Sequence, residues 1–120
     1  MTPEEWVRQH VLMFLTDNRG VPKGLIGVEK VIRINKMPKR FDILVYDRSH
    51  RPLILVECKA PTVPISQEVF DQAARYNLLL NVPFFFISNG IDSFFCEVDH
   101  SSGEYRFLEA MSHYDELSKG

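Results

Sequence analysis

Only two cysteines, Cys58 and Cys96, occur in the 120 residues, and both fall within predicted strands. One pair cannot staple a chain of this size, so both are read as reduced thiols in the core. The four histidines, His10, His50, His100 and His113, stand at no zinc-like spacing to one another or to a cysteine, which argues against a zinc centre. Long hydrophobic runs are missing too: stretches such as Leu78-Leu79-Leu80 and Phe84-Phe85-Phe86-Ile87 fall far short of the roughly 20 residues a membrane span needs. The opening Met1-Thr2-Pro3-Glu4-Glu5 is acidic, unlike a secretory signal, and a cytoplasmic location is expected. Charge of one sign is not in excess either; the formal net charge of −2 gives no global support for nucleic-acid binding.

What is present fits one globular domain, residues 1–120, long enough for a real core. Apolar residues at 45% and charged residues at 25% match an average soluble protein, which argues against disorder, a coiled coil or a collagen-like repeat. The charge is unevenly placed: residues 1–60 carry eleven Lys/Arg against seven Asp/Glu, and residues 61–120 carry three against nine. Lys30, Arg33, Lys36, Lys39 and Arg40 make the densest basic stretch, immediately ahead of Asp42. A solvated hairpin and a phosphate-facing patch account for it equally well.

Thr2-Pro3-Glu4-Glu5 reads as a helix start, with a cap, a proline at the first helical position and acidic residues in the first turn. Trp6, Val7, His10, Val11, Phe14 and Leu15 follow at helical spacing, so a helix is expected over 3–16, ended by Asp17-Asn18-Arg19-Gly20. Residues 25–34 and 41–46 are rich in β-branched side chains and flank the turn-like Asn35-Lys36-Met37-Pro38, which predicts two antiparallel strands. A third strand is expected over 53–58, after the turn Asp47 to Pro52. The prolines of Ala60-Pro61-Thr62-Val63-Pro64 end it. A second helix is expected from the cap Ser66 to Asn81, with Val69, Ala73, Tyr76, Leu79 and Leu80 on its apolar side. Residues 84–88 read as a strand buried on both faces, 94–98 and 105–108 as two more, and the tail from Ala110 as polar and briefly helical. The expected fold is α/β: a mixed sheet, an antiparallel meander plus further strands, flanked by helices.

Candidate chemistry concentrates at Glu57-Cys58-Lys59, which closes the apolar run Leu53-Ile54-Leu55-Val56. Charges there are costly unless something pairs with them or uses them. Side chains two apart on a strand share a face, so Glu57 and Lys59 point one way and Cys58 the other. If the preceding turn is symmetric about Ser49 and His50, Asp42 lies opposite Glu57, Leu44 opposite Leu55 and Tyr46 opposite Leu53. Directly opposed residues hold their Cβ atoms roughly 4.5–5.5 Å apart, close enough for two carboxylates to share a divalent cation. A slip of one residue would part them. Such a site suits metal-assisted hydrolysis: Asp42 and Glu57 hold the ion, the Cys58 backbone carbonyl adds a ligand, and Lys59 orients or deprotonates the water or stabilises charge on a phosphate. The alternative is that Asp42 caps a strand end while Glu57 and Lys59 form a surface pair worth under about 1 kcal/mol.

Asp42, Glu57-x-Lys59 at the end of the next strand, an acidic first helix and Gln72-Ala73-Ala74-Arg75-Tyr76 on the following helix together resemble the PD-(D/E)XK nuclease superfamily. The likeness is to the nuclease domain at the N-terminus of type I restriction enzyme R subunits, over about residues 3–90. It implies a restriction-endonuclease-like core and a DNA endonuclease that uses Mg2+, or Mn2+ in its place. On this resemblance Asp42 matches the metal-binding aspartate, Glu57 the second acidic ligand and Lys59 the catalytic lysine. Glu5, with Glu4 as its alternative, matches the first-helix glutamate that completes the metal shell. Gln72 and Tyr76, four apart on one helix face, match residues the family uses around the active site and the DNA backbone; taken alone they read as a polar helix edge and a core aromatic.

Two departures stand out. Phe41 occupies the place of the proline in the superfamily's name, and no Gly-x-x-x-x-Gly-Lys of an ATP-driven motor occurs. DNA would then be reached through a motor or specificity subunit, a homodimer, or the basic stretch itself. The rival reading is a catalytically silent nuclease fold that binds DNA or assembles with protein. A third places a protein–protein interface in the acidic second half, around Phe94, Phe95 and Tyr105.

Overall fold

The computed structural model describes residues 1–119. Helix α1 (Pro3–Met13) starts as its cap signal predicts, with Thr2 Oγ1 accepting from the Glu5 N–H at 3.1 Å. It does not continue to Thr16 as an α-helix. Residues Phe14–Asn18 widen into a π-helical turn, and Gly20, at φ +69°, reverses the chain. The wider turn keeps Leu15 buried in line with Val7 and Val11. Trp6 and His10, expected on the apolar side, are exposed.

Six strands follow in one sheet: β1 (Ile26–Ile34), β2 (Met37–Tyr46), β3 (Pro52–Cys58), β4 (Phe84–Ser88), β5 (Ser93–Val98) and β6 (Tyr105–Leu108). Their spatial order is their sequence order, and only β3 and β4 run parallel, because α2 (Gln67–Leu80) carries the chain back between them. The β1–β2 turn is two residues rather than four. Asn35 and Lys36 both have positive φ, so Met37 and Pro38, expected in the turn, begin β2 instead. Pro38 is tolerated because this part of β2 has only β1 as a neighbour.

Between β2 and β3 the register is the expected one at Ile43–Val56, Leu44–Leu55 and Val45–Ile54. It fails at Tyr46, which faces Pro52 rather than Leu53 across a bulge. There the Asp47 carboxylate accepts from the Ser49 and Arg51 N–H groups at 2.8 and 2.9 Å and tightens the turn.

The sheet is buried on both faces, as the unbroken apolar run Phe84–Ile87 requires. On one face Val7 and Val11 of α1 and Leu15 of the π-helical turn pack on Ile43, Val45, Ile54, Val56 and Phe86. On the other, Phe70, Ala73 and Ala74 of α2 pack on Leu44, Leu55, Phe85 and Ile87. The buried stripe of α2 is rotated from the expected one: Phe70, Ala74 and Asn77 point inward, whereas Leu79 is exposed. Asn77 donates to the Val82 and Phe84 carbonyls at 3.0 and 2.7 Å, steering the chain into β4.

The tail is less polar in function than in composition. Met111 and Tyr114 are buried, and Tyr114, opening the short α3 (Tyr114–Leu117), donates its hydroxyl to the Tyr46 carbonyl at 2.8 Å. Cys58 and Cys96 are free and lie in opposite cores. Phe95 is buried, which removes it from any docking surface.

Candidate active site

The site forms where β2 and β3 part. Residues 54–56 of β3 pair with β2 on one side and β4 on the other, but residues 37–41 of β2 pair with β1 alone. The register of Ile43 with Val56, carried one residue further, brings Asp42 opposite Glu57. At this point the Cys58 N–H has no β2 carbonyl to meet, and Asp42 Oδ2 accepts it instead at 2.8 Å. On the other side the Lys59 N–H donates to the Ser88 carbonyl at 2.8 Å, extending the parallel pairing. The triplet thus lies at the carboxyl ends of the two parallel strands, the usual place for a ligand site in an open α/β sheet.

Burial raises the pKa of Asp42 above its ordinary 3.8; the Cys58 N–H works against this, and the charges of Glu57 and Glu4 add to it. Glu57 is gripped by two ammonium groups, Lys59 Nζ at 3.5 Å from Oε2 and Lys39 Nζ at 3.4 Å from Oε1. Both distances are long for hydrogen bonds, so the pairs act mainly through charge. Lys39 also lies 5.5 Å from the Phe41 ring centroid and 5.3 Å from that of Tyr76. The Cys58 thiol is pushed up to about 12, first by burial and then by Asp42, Glu57 and Glu4. It is no nucleophile at neutral pH; only its backbone belongs to the site.

Across α2, Gln72 and Tyr76 line one crevice with Glu57 and Phe41, of about 10 Å³. That is room for about one water. The Tyr76 ring meets Phe41 edge-on at 5.8 Å. Asp42, Glu57 and Lys59 therefore form one group, to which Gln72 and Tyr76 attach through Glu57.

A model of the family described as Type I restriction enzyme R protein N terminus (HSDR_N) matches residues 3–111. The chain belongs to that family. It is 30% identical over 98 residues to the type I restriction enzyme EcoAI endonuclease subunit of Escherichia coli, covering 82% of this chain and 11% of the relative. A fragment solved as an HsdR subunit of a type I restriction enzyme from Vibrio vulnificus YJ016 superposes with a TM-score of 0.67 at 25% identity, over 99% of this chain and 25% of that one. The chain thus spans a small part of the R-subunit relatives it matches.

Within this HSDR_N domain, one of the two first-helix glutamates is seen acting on the site through its charge. The charge of Glu4 reaches both Asp42 and Cys58. Lys39 was legible only as one member of the basic stretch; its place beside Glu57 depends on β2 starting at Met37. Among the described residues no three His, Cys, Asp or Glu side chains already converge as a metal cluster. The donor set still fits magnesium, which keeps several of its waters and is typically held by one or two carboxylates together with substrate phosphate. Asp42 has one oxygen on the Cys58 amide and is surrounded by the charges of Glu57 and Glu4, a field that favours a cation.

Proposed function

We propose that this R-subunit N-terminal domain is a magnesium-dependent DNA endonuclease domain that hydrolyses phosphodiester bonds. The observation supporting this most is the Asp42 carboxylate held on the Cys58 N–H within reach of the Glu57 and Lys59 charges, at the carboxyl end of β3. Asp42, Glu57 and the Cys58 carbonyl would hold Mg2+ or Mn2+, with Glu4 or Glu5 completing the shell. When bound, the ion supplies charge neutralisation on the phosphate and Lewis-acid activation of water.

The remaining steps belong to the chain's own groups. Lys59, on the face of Glu57, is placed to orient the attacking water and to stabilise charge on the phosphate. Gln72 and Tyr76 line the other wall of the Glu57 crevice and position the DNA backbone. Delivery of DNA is the work of further parts of an R subunit, of a specificity subunit, or of a second copy of this chain, and the setting is the cytoplasm. The direct test is supercoiled plasmid with Mg2+ or Mn2+, with and without EDTA. Nicking should need the metal and disappear in Glu57→Ala; nicking that persists in either case overturns the proposal.

One observation favours a second reading. Both oxygens of Glu57 already face lysines, Lys39 and Lys59, as in a fold that keeps a closed, silent site and serves for binding or assembly. DNA binding without cleavage across several divalent metals would support that reading.

A further inference from the structure

The ribbon of β1 and β2 runs past the end of β3, beyond Glu57 and Lys59, with no third strand beside it. Cross-strand partners share a face, so Val31 with Arg40 and Arg33 with Pro38 form one side of the ribbon. All four are exposed. The opposite side, with Ile32 and Ile34, packs on the α2 core. The open side is strongly cationic within a chain of net charge −2. Among the described residues Arg33, Lys36 and Arg40 have no carboxylate partner, and of the ribbon's two acids Glu29 is neutralised by Arg8 at 2.8 Å and Asp42 belongs to the site itself.

At about 3.4 Å per residue, Arg40, Arg33 and Lys36 lie about 7, 14 and 20 Å along the ribbon from Asp42. Each interval is about two base-pair steps of duplex axis. The tip itself is costly: Lys36 has φ 69°, where glycine is the usual residue, so the ribbon keeps a cation at the expense of backbone strain.

Resting on the nuclease reading above, we propose that this open face of the β1–β2 ribbon is where duplex DNA lies, its phosphate backbone tracked by Arg40, Arg33 and Lys36 as it leaves the Asp42–Glu57 site. A two-stranded ribbon is narrow enough for a groove of B-DNA, and the exposed Val31 lies beside the cations to meet sugar edges.

The test is fluorescence anisotropy of a labelled duplex of about 20 base pairs, titrated with the 120-residue chain in EDTA at several salt concentrations. Wild type should bind in the non-specific range, with Kd about 10⁻⁴ to 10⁻⁶ M. Arg33→Ala/Lys36→Ala/Arg40→Ala should bind at least about 30-fold more weakly, with the slope of log K against log salt shallower by about 2 to 3. Lys23→Ala/Arg48→Ala/Arg51→Ala, losing the same charge elsewhere on the surface, should bind nearly as wild type. If the ribbon triple fails to fold, Lys36→Gly carries the test: it should melt at or above wild type yet bind several-fold more weakly. Equal binding by the ribbon variants, equal loss in the control triple, tighter binding of an RNA duplex, or no binding by wild type overturns the inference. Ribbon-dependent binding without cleavage would sink the nuclease reading alone; cleavage indifferent to the ribbon variants would sink this one alone.

Discussion

Replacing Asp42 by asparagine separates what the carboxylate costs the fold from what it offers a metal. Burial is the main reason its pKa lies above the ordinary 3.8, with Glu57 and Glu4 adding to the effect and the Cys58 amide and Lys59 opposing it. Well below 3.8 the side chain is neutral in both folded and unfolded chains and nothing is lost. As the pH rises, the unfolded chain ionises first, so the folded state loses stability until Asp42 itself ionises, after which the loss is constant. At pH 7.5 the amide removes that loss, and its oxygen still accepts from the Cys58 N–H. Because the carboxylate is partly solvated, the gain is discounted to under about 1 kcal/mol. At about 2.1 cal/mol/K per residue this is up to about 4 °C in Tm for 120 residues.

Magnesium should invert the order. At about 10 mM Mg2+ and a Kd of about 1 mM, wild type gains about 1.4 kcal/mol, or about 6 °C, and Asp42→Asn gains little. Scanning calorimetry in EDTA and in Mg2+ reads both effects, and in EDTA the gap between the two proteins should narrow as the pH is lowered toward 3.8. A variant that melts below wild type in EDTA refutes the burial argument. A wild type that melts at the same temperature with and without Mg2+ refutes the metal site.

Lys59→Met should lower plasmid nicking at least about 100-fold with Tm within a few degrees of wild type; nicking at the wild-type rate would remove Lys59 from the chemistry. Lys39→Met frees one oxygen of Glu57, so Mg2+ titrated by calorimetry should bind several-fold more tightly, and an unchanged Kd would show that Lys39 does not compete for the carboxylate. Tyr114→Phe leaves the Tyr46 carbonyl without its buried donor and should cost about 1–2 kcal/mol in urea unfolding, against none if the tail were merely a polar appendage. Cys58 and Cys96 are both pushed up to about 12, chiefly by burial, so a thiol reagent at pH 8 should label neither in the folded protein and both in urea.

How far the fold could be read in advance varied with the kind of signal. Strands β3 and β4 were legible because their apolar runs end abruptly at charge or proline; the β2–β3 register rested on a turn symmetric about Ser49 and His50, which holds from Val45–Ile54 to Ile43–Val56 and fails at the Tyr46 bulge. The ribbon was misjudged at its start because Asn35-Lys36 carries no glycine: a turn with two positive φ values is recognised by Asn-Gly, and lysine hides it. That same misjudgement concealed Lys39, which can reach Glu57 only if Met37 and Pro38 belong to the strand. The buried stripe of α2 slipped because Asn77, a polar residue, holds two backbone carbonyls from inside the core. Glu57, Lys59 and Asp42 stand out because charge at the end of a buried strand has few bland explanations; which of Glu4 and Glu5 turns toward a metal depends on helix rotation, which two adjacent glutamates cannot reveal.

The departure of β2 from β3 does two things at once. It leaves the Cys58 N–H without a strand partner, and it opens the notch in which Glu57 and Lys59 meet solvent. Asp42 answers the first need with one oxygen, which leaves the other for whatever enters the notch. The carboxylate is therefore a structural acceptor as well as a candidate ligand, and the two roles fail together in Asp42→Ala. That variant would orphan a part-buried amide at a cost of about 1–3 kcal/mol, so its loss of nicking would say nothing about chemistry. Substitutions that keep an oxygen at this position, asparagine first, are the ones that can tell a dead site from a loosened fold.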